Sequence, residues 1–229
     1  GFSNLTAGSS DNTTLVVGLT NAVVAGTNSG TVQVVLTSVA LTNTLSDTIL
    51  STNTVTVTGV AYNYASVGTS SATNINIGSF HVGTASGTGT IAVTNTAPAG
   101  AFTEWLAAAF TNASGVTTTG GFTNLTGGSS TNGLVVGITG SSLGTNTGTV
   151  DLVFTSVALT NTLSDTALAT NSYTVSGTGY AYADASLLTN VVDLGAIHAG
   201  GNFVGQNLTV DNIATNSAFT ETLGAVFTS

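Results

Sequence analysis

The chain has 229 residues, a formal net charge of −9 at pH 7 and no Lys, Arg, Cys or Met, although 41% of its residues are apolar. Without a basic side chain the protein cannot neutralise nucleic-acid phosphates, and without a run of roughly 20 apolar residues it has no segment that could span a bilayer as a helix. The lack of cysteine excludes disulfides, and the apolar content is too high for a disordered chain, so we predict a folded protein.

The chain contains two copies of one unit. The segment TSVALTNTLSDT occupies residues 37–48 and recurs without a change at residues 155–166. Flanking motifs keep the same order, from GFSNLT against GFTNLT to AFTEWL against AFTETL, and the offset falls only from 120 to 117 residues. Such spacing is the signature of a repeated structural unit, so we expect both copies to have one fold.

Alternating apolar and polar residues predict strands in both copies. In residues 31–36, Val32, Val34 and Leu36 face one way and polar residues alternate with them, which is the period of a strand. Similar runs, rich in Thr and Val and bounded by Gly, Asn and Ser, occupy residues 15–19, 54–57, 74–77 and 90–94. About seven such strands per unit predict an all-β sandwich.

The segment from Phe102 to Phe110 fits two structures. Its apolar residues recur with helical spacing, but they also alternate as they would in a strand. The second copy keeps the apolar positions at residues 219–227 and inserts Gly224, which is costly inside a helix. We therefore predict a strand in this segment.

The order of these motifs resembles one known family. IGSFHVG at residues 77–83, IAVTNTA at 91–97, FTEWLAAAF at 102–110 and the later strands up to YTVSGTGYAYA at 173–183 are similar to the choice-of-anchor D repeats of bacterial surface proteins. Those repeats are immunoglobulin-like β-sandwiches of the wider Hydin-like group. The resemblance implies that a domain begins just before the first motif and ends after the Tyr-rich segment, and it brings no active site with it.

This phase divides the chain into one complete domain and two complementary halves. Residues 68–183 would form the complete immunoglobulin-like domain, residues 1–67 would hold the later strands of a split domain, and residues 184–229 the earlier strands of another. Together the halves would lack only the connection equivalent to residues 113–120. We expect this coincidence to be meaningful, since a random cut through a tandem array would not stop and restart around a single connection.

Each half alone would expose a large apolar surface. Burying several of these side chains is worth on the order of 10 kcal/mol before ordering costs, so we expect the halves to find partners. The residues expected at the assembly interface are Leu5, Leu15, Val17, Val32, Val34, Leu36, Val55, Val57, Val191, Leu194, Leu208, Val210, Phe219, Leu223 and Phe227.

Two arrangements would complete the halves. They could close on each other within one chain, or the tail half of one subunit could complete the head half of the next by strand complementation. The second contact joins different surfaces, so it extends into an open filament unless its rotation closes a ring. The chain has no Lys and a single Pro to protect sheet edges, and this composition favours assembly.

No residue pattern indicates catalysis, a metal site or a cofactor. His81 and His198 are equivalent residues of the two copies, which favours a hydrogen-bonded structural role over acid or base catalysis. Glu104 and Glu221 are equivalent too, so they do not form the carboxylate pair of one glycosidase cleft. The chain has no GxSxG, P-loop or HExxH motif, and we predict that it is not an enzyme.

Two acidic residues and the one tryptophan leave alternatives open. Asp47 and Asp165 lie in the repeated twelve-residue segment, where Asp commonly bonds nearby backbone N–H groups. Calcium ligation is the less favoured alternative, since no DxDxDG loop is present. Trp105 is replaced by Thr222 in the other copy, so it either lines a subunit contact or packs locally.

Five Asn-x-Ser/Thr triplets are candidate glycosylation sites, although chance supplies several in a chain so rich in Asn and Thr. They begin at Asn4, Asn12, Asn112, Asn124 and Asn207.

These features predict an extracellular structural subunit, on the cell surface or secreted, that polymerises head to tail into a filament or surface fibre. The lack of Lys and Arg favours an exterior location because trypsin-like proteases find no site to cleave. The expected partner is the protein itself, with glycans as candidate additions and without nucleic acid or a membrane span. The alternative is a stalk or adhesin module of a bacterial surface protein that binds glycan or calcium, which predicts a monomer.

Overall fold

The fold comes from a computed structural model, in which residues 1–3, 5–20, 24–69, 72–84, 87–139, 142–160, 162–215 and 217–228 are described. These residues form strands, turns and irregular segments without any helix, so the all-β prediction is confirmed. No helix in this part of the chain is long and apolar enough to cross a membrane.

Thirteen strands lie within the described ranges. Their bounds are β1 (Gly26–Ser38), β2 (Thr48–Ala61), β3 (Val67–Thr69), β4 (Asn74–His81), β5 (Thr88–Asn95), β6 (Trp105–Ser114), β7 (Val116–Thr119), β8 (Phe122–Leu125), β9 (Ser130–Ile138), β10 (Gly144–Val157), β11 (Thr166–Tyr180), β12 (Ala185–Leu187) and β13 (Val210–Asn212). Most are rich in Thr and Val, whose branched side chains suit a pleated surface. The predicted strands are confirmed at residues 31–36, 54–57, 74–77 and 90–94, and from Trp105 onward within 102–110.

The nine strands from β3 to β11 form two sheets, which we call the central sandwich. The five-stranded sheet has the order β4-β11-β10-β6-β8, and the four-stranded sheet has the order β3-β5-β9-β7. β10 and β11 are antiparallel, with Val150 opposite Tyr173, whereas β4 runs parallel to β11. The strands outnumber the seven predicted because short edge segments such as β3 and β7 also pair.

The core of the central sandwich is built from alternate residues of both sheets. Ile91 and Leu134 reach it from the four-stranded sheet. Leu106, Leu152 and Phe154 reach it from the five-stranded sheet, and all five side chains are fully buried. Along β10 every second residue is buried, as strand geometry requires for a sheet with one face on a core. Because one hydrophobic cluster includes both sheets, they pack against each other as in a β-sandwich.

The segments on either side of the central sandwich are more open. We call residues 1–61 the head segment and residues 184–228 the tail segment. In the head segment β1 and β2 form a two-stranded hairpin, and in the tail segment β12 and β13 pair over three residues. The hairpin register matches the central sandwich, since Val32 lies opposite Val55 as their equivalents do in β10 and β11.

Two predicted strands are not formed. Residues 15–19 have no strand, although the equivalent residues of the central sandwich belong to β9. Residues 219–227, the counterpart of most of β6, have none either. A strand needs neighbours for its backbone hydrogen bonds, and β9 and β6 each lie between two other strands of the sandwich. Both neighbours of β6 have their equivalents in the head segment, so the tail segment lacks them. Of the neighbours of β9, β5 has its equivalent in the tail segment and β7 lies in the connection that neither segment contains, so neither segment can order its strand by itself.

The head segment joins the central sandwich through a short backbone contact. Asn63 N donates to the carbonyl oxygen of Phe102 at 2.8 Å, and Glu104 N donates to the carbonyl oxygen of Asn63 at 2.9 Å. The ring centroids of Tyr62 and Phe102 are 5.8 Å apart. The contact fixes the end of the hairpin against the loop that precedes β6.

Equivalent residues repeat this contact where the central sandwich meets the tail segment. Ala181 N donates to Phe219 O at 2.9 Å, and Glu221 N donates to Ala181 O at 3.0 Å. The ring centroids of Tyr180 and Phe219 are again 5.8 Å apart. The junction between consecutive units is therefore a repeated structural feature.

Candidate assembly interface

All fifteen residues predicted to form an assembly interface keep part of their surface exposed. Ten of them are exposed: Leu5, Leu15, Val17, Val32, Leu36, Val55, Val191, Leu194, Val210 and Phe227. Five are half-buried: Val34, Val57, Leu208, Phe219 and Leu223. None of the fifteen belongs to the buried core cluster.

Most of the equivalent residues of the central sandwich belong to its core or pack against it, and the exceptions are Asn74 and Phe102, the exposed equivalents of Val191 and Phe219. Leu15 is 51% exposed, whereas its equivalent Leu134 is 0% exposed. Leu36 is 41% exposed, and its equivalent Phe154 is again 0% exposed. The head and tail segments thus present to solvent the faces that the central sandwich buries.

The inner face of the head hairpin is partly covered by its own chain. Leu19 lies over two glycines, with methyl carbons 3.3 and 3.4 Å from the points where a Cβ would stand on Gly30 and Gly59. A groove of about 540 Å³ runs between residues 16–20 and the hairpin. This loose cover leaves Val17 and Leu15 exposed, so it does not replace a second sheet.

Asn95 ties the two sheets of the central sandwich together and is fully buried. Its Oδ1 accepts hydrogen bonds from Ser66 N at 3.1 Å and Ala97 N at 3.2 Å. Its Nδ2 donates to Glu104 O at 3.3 Å and to Leu125 O at 3.0 Å. The side chain therefore uses both donors and both lone pairs, as a buried carboxamide must.

Glu104 is a second buried polar residue, with only 2% of its surface exposed. Its Oε2 accepts a hydrogen bond from Ser156 Oγ at 2.6 Å. The same hydroxyl oxygen accepts one from Ala65 N at 2.7 Å. Ser156 thus connects β10 to the segment that leads into β3 and to the carboxylate just before β6.

Glu221, the equivalent of Glu104, has a different partner. Its Oε1 lies 2.7 Å from His81 Nε2, and both side chains are partly exposed. Ser38, the equivalent of Ser156, lies in the head segment and is exposed. Glu104 is therefore buried and bonded to a serine hydroxyl, whereas Glu221 is exposed and lies against His81 instead.

His81 also stacks on Tyr182, with ring centroids 3.8 Å apart and 15° between the ring planes. These contacts agree with the structural role predicted for this histidine. The equivalent pair is His198 and Tyr64, and both residues are exposed. His81 and Tyr182 touch at one end of the central sandwich. Their equivalents lie in different parts of the chain, His198 in the tail segment and Tyr64 just after the head segment.

Comparison with known proteins assigns no family to the chain. No family model matches it, and no curated protein does so either. The resemblance to choice-of-anchor D repeats therefore stays a prediction from the strand motifs. The central sandwich is the best available guide to what the head and tail segments can form.

The repeated twelve-residue segment contains a turn closed by aspartate. Asp47 Oδ1 accepts a hydrogen bond from Ala40 N, and Asp165 Oδ1 accepts one from Ala158 N, each at 2.9 Å. The prediction that these carboxylates bond backbone N–H groups is confirmed. Among the described residues, no group of three or more His, Asp or Glu is placed to hold a metal ion.

Two other carboxylates are held ionised by hydrogen bonds. The Asn112 carboxamide and, after it, the Ser172 hydroxyl lower the pKa of Asp151 below its ordinary value of 3.8. The Thr14 hydroxyl, followed by two backbone N–H groups, lowers the pKa of Asp11 in the same way. Hydrogen bonds to the charged form favour that form, so both acids act as surface anchors for the strands or turns around them.

The remaining predicted residues lie on the surface or outside the described ranges. Asn4 is outside the described residues, and Asn12, Asn112, Asn124 and Asn207 are exposed. The Nδ2 of Asn112, the atom that a glycan would modify, donates to Asp151 Oδ2 at 2.8 Å. Trp105, at the start of β6, is 40% exposed.

Sequence reasoning missed the polar and aromatic residues that join the layers and the units. Asn95 and Asn212 stand in equivalent Asn-x-Ala motifs, and Tyr64 and Tyr182 end equivalent Tyr-x-Tyr motifs. Their retention in both copies was the available signal. Their roles depend on contacts between residues far apart in the chain, which no local pattern specifies.

Proposed function

We propose that the chain is a structural subunit that polymerises head to tail outside the cell. The tail segment of one copy completes the sandwich begun by the head segment of the next, giving an immunoglobulin-like unit that spans two molecules. The observation that carries this proposal is the exposure, in both segments, of side chains whose equivalents form the core of the central sandwich.

The strands equivalent to the two segments interleave in the central sandwich. Counterparts of the tail segment are β3 to β6, and counterparts of the head segment are β8 to β11. Four pairings join one set to the other: β4 with β11, β6 with β10, β6 with β8, and β5 with β9. Neither set can close a core by itself, because each leaves gaps between strands that the other set fills.

Apolar burial favours the association. Fully burying one exposed Leu, Val or Phe side chain contributes about 1.5–3 kcal/mol. Ten of the predicted interface residues are exposed, most of them by about half, so burying the rest of their surface contributes an amount comparable with an association cost of about 4–15 kcal/mol. A net charge of −9 opposes the contact only weakly, because repulsion between surface charges is screened beyond about 10 Å at moderate salt.

The geometry of the contact favours an open polymer. The head and tail segments are different surfaces, so a copy that has used its tail still offers its head to the next copy. The repeated junction then links each completed sandwich to the central sandwich of the same chain. We propose a fibre in which single-chain and two-chain sandwiches alternate.

Engineered cysteines test the pairing, because the natural chain has none. In the central sandwich Thr94 lies opposite Ser130, with hydroxyl oxygens 2.8 Å apart. The equivalent residues are Asp211 in the tail segment and Ser10 in the head segment. We expect a mixture of Ser10→Cys chains and Asp211→Cys chains to form disulfide-linked heterodimers under mild oxidation.

A register control and a double variant sharpen this test. Thr13→Cys, three residues farther along the head segment, should cross-link to Asp211→Cys far less than Ser10→Cys does. A chain that carries both Ser10→Cys and Asp211→Cys should form covalent ladders of two, three and more copies. Closure of the disulfide within one chain that still sediments as a monomer would overturn the polymer, and electron microscopy should show fibres of the unmodified protein.

The second candidate is the stalk or adhesin module, and one observation favours a stalk. The same backbone contact and ring pair recur at both unit junctions, which suits a stiff row of units. This function leaves the exposed faces of the head and tail segments without a role. It predicts a monomer at every concentration and no cross-link between Ser10→Cys and Asp211→Cys chains.

A further inference from the structure

Asn95 makes six hydrogen bonds, which divide into two groups of three. One group is made with residues whose equivalents lie in the tail segment: Ser66 N, Ala97 N and Glu104 O. The other group holds the turn before β9: Nδ2 donates to Leu125 O at 3.0 Å, the backbone N of Asn95 donates to Ser129 O at 2.9 Å, and Gly128 N donates to Asn95 O at 2.8 Å. The residue therefore fixes where β9 enters the sandwich.

Asn212 makes only the first group of three. Asp184 N and Ala214 N donate to its Oδ1 at 3.0 and 3.2 Å, and its Nδ2 donates to Glu221 O at 3.2 Å. These lengths match those around Asn95 to within 0.1 Å. No described residue supplies the second group, and Asn212 is exposed where Asn95 is fully buried. The tail segment thus holds a preformed half of a hydrogen-bonding site.

The head segment holds the other half in the conformation that is needed. Ser9 N donates to Thr6 O at 3.0 Å, as Ser129 N donates to Thr126 O at 3.1 Å in the central sandwich. The paired hydroxyls of Thr6 and Ser9 lie 2.9 Å apart, against 2.8 Å in the equivalent turn. Gly8 has a φ of 81°, close to the 77° of its equivalent, which is a region that favours glycine. The turn is folded although no described residue of the tail segment forms a hydrogen bond with it.

We propose that the turn Thr6–Ser9 of one copy docks on Asn212 of another and sets the register of the join, an inference that rests on the head-to-tail association proposed above. Asn212 Nδ2 then donates to Leu5 O, its backbone N donates to Ser9 O, and Gly8 N donates to its carbonyl oxygen. The partner is therefore a second copy of this chain, recognised through one turn as well as through its apolar faces.

A single polar anchor decides register because the apolar faces do not. Strands rich in Val and Thr can slide by two residues and still place apolar side chains on the same face. A carboxamide that becomes buried without its full set of partners is strongly unfavourable. Only one register gives Asn212 its three missing hydrogen bonds, so the other registers are penalised.

Ala7 is the residue at which the head turn differs from its equivalent. The central sandwich has Gly127 there, and a Cβ on that glycine would lie 2.5 Å from Pro98 O, closer than real contacts allow. In the tail segment Thr215 replaces Pro98, and its carbonyl oxygen accepts a hydrogen bond from the Thr220 hydroxyl at 2.7 Å. Docking of the head turn therefore requires the loop at Thr215 to lie farther from the turn than the loop at Pro98 does.

The test is Asn212→Asp in the full chain. The substitution keeps the shape of the side chain and both acceptor positions for Asp184 N and Ala214 N, but it removes the donor needed by Leu5 O together with the one that reaches Glu221 O within the tail segment. We expect association measured by concentration-dependent sedimentation to weaken roughly tenfold or more, and to remain weakened at high ionic strength. Asn190→Asp adds the same charge to the tail segment at an exposed residue whose equivalent Thr73 is also exposed, and it should associate like the natural chain.

A second variant acts from the other partner. Gly8→Ala strains the turn because an alanine is disfavoured at a φ of 81°, and it should weaken association in the same direction. Chains with Asn212→Asp and chains with Gly8→Ala should still associate in a mixture, through the intact head of the first and the intact tail of the second. Such mixtures should stop at dimers.

The outcomes separate the two proposals. If the natural chain stays monomeric, the polymer and this inference both fail. If the natural chain associates and Asn212→Asp associates equally well, with the Ser10→Cys to Asp211→Cys cross-link intact, the polymer stands and Asn212 does not set the register. Weakened association, or loss of the Ser10→Cys to Asp211→Cys cross-link when Asn212→Asp is added, supports the proposed anchor.

Discussion

Two identical stretches of sequence have different surroundings in the two copies. In residues 155–166 Ser156 lies on β10 and is fully buried, whereas in residues 37–48 the equivalent Ser38 ends β1 and is exposed. The sequence is the same over twelve residues, so the difference in burial comes from the neighbouring strands. In the hairpin the local sequence is enough to form the strand, and the presence of further partner strands determines whether its inner face is buried.

The hairpins show which part of the fold is local. β1 and β2 pair in the head segment, as β10 and β11 do in the central sandwich, and both pairs have an irregularity at the same place, near Leu36 and near Val153. Antiparallel neighbours with a short connection can pair without help from distant residues. β6 and β9 need strands from far along the chain, and their equivalents in the flanking segments remain irregular.

The largest expected effect separates core from open face. Phe154→Ala removes a fully buried ring and should lower the free energy of unfolding by about 3–5 kcal/mol. Leu36→Ala, at the equivalent and 41% exposed position, should change it by less than about 0.5 kcal/mol. Urea unfolding at concentrations where the chain is monomeric measures both. Similar losses for the two variants would show that the head hairpin already has a core in the single chain.

The next effect uses the two serines of the repeat. Ser156→Ala removes the hydroxyl that bonds Glu104 Oε2 and the N–H of Ala65, both at buried positions, and should cost about 3 kcal/mol of unfolding free energy. Ser38→Ala should leave the monomer unchanged, since Ser38 is exposed. The same variant should weaken association, because in the completed sandwich Ser38 would donate to Glu221 of the other copy as Ser156 donates to Glu104. A Ser38→Ala chain that associates normally would argue against that completed geometry.

Much of the fold could be predicted from sequence because the relevant signals are local. Alternation along residues 31–36 predicted a strand that β1 contains, and the repeat predicted equivalent hairpins. The strand predicted at residues 15–19 was wrong for the single chain, because its hydrogen-bonding neighbours are not beside it. A period of two indicates what a segment can form and does not supply the strand that it must pair with.

The candidate interface was predicted in its apolar part and missed in its polar part. Residues such as Leu15 and Val32 follow from alternation, and both are exposed in the structure. Asn95 and Glu104 are buried polar residues whose partners lie on other elements, so only the folded chain shows what they bind. Burial of a polar group depends on the complete set of its partners, which is a property of the tertiary structure.

The smallest expected effect concerns a charge that the central sandwich has and the head hairpin lacks. Asp151 on β10 corresponds to Gln33 on β1, and hydrogen bonds from Asn112 and Ser172 lower its pKa below 3.8. A carboxyl whose pKa is lower in the folded state stabilises that state above its unfolded pKa, and this contribution is lost as the pH falls through the folded value. The natural chain should therefore be slightly more stable than Asp151→Asn at neutral pH, and the gap should close in acid, below about pH 3.8. Urea unfolding of both proteins across this range measures the gap. A gap that stays constant would mean that the carboxylate of Asp151 contributes nothing through its ionised form, and that β10 and β1 differ at this position in shape alone.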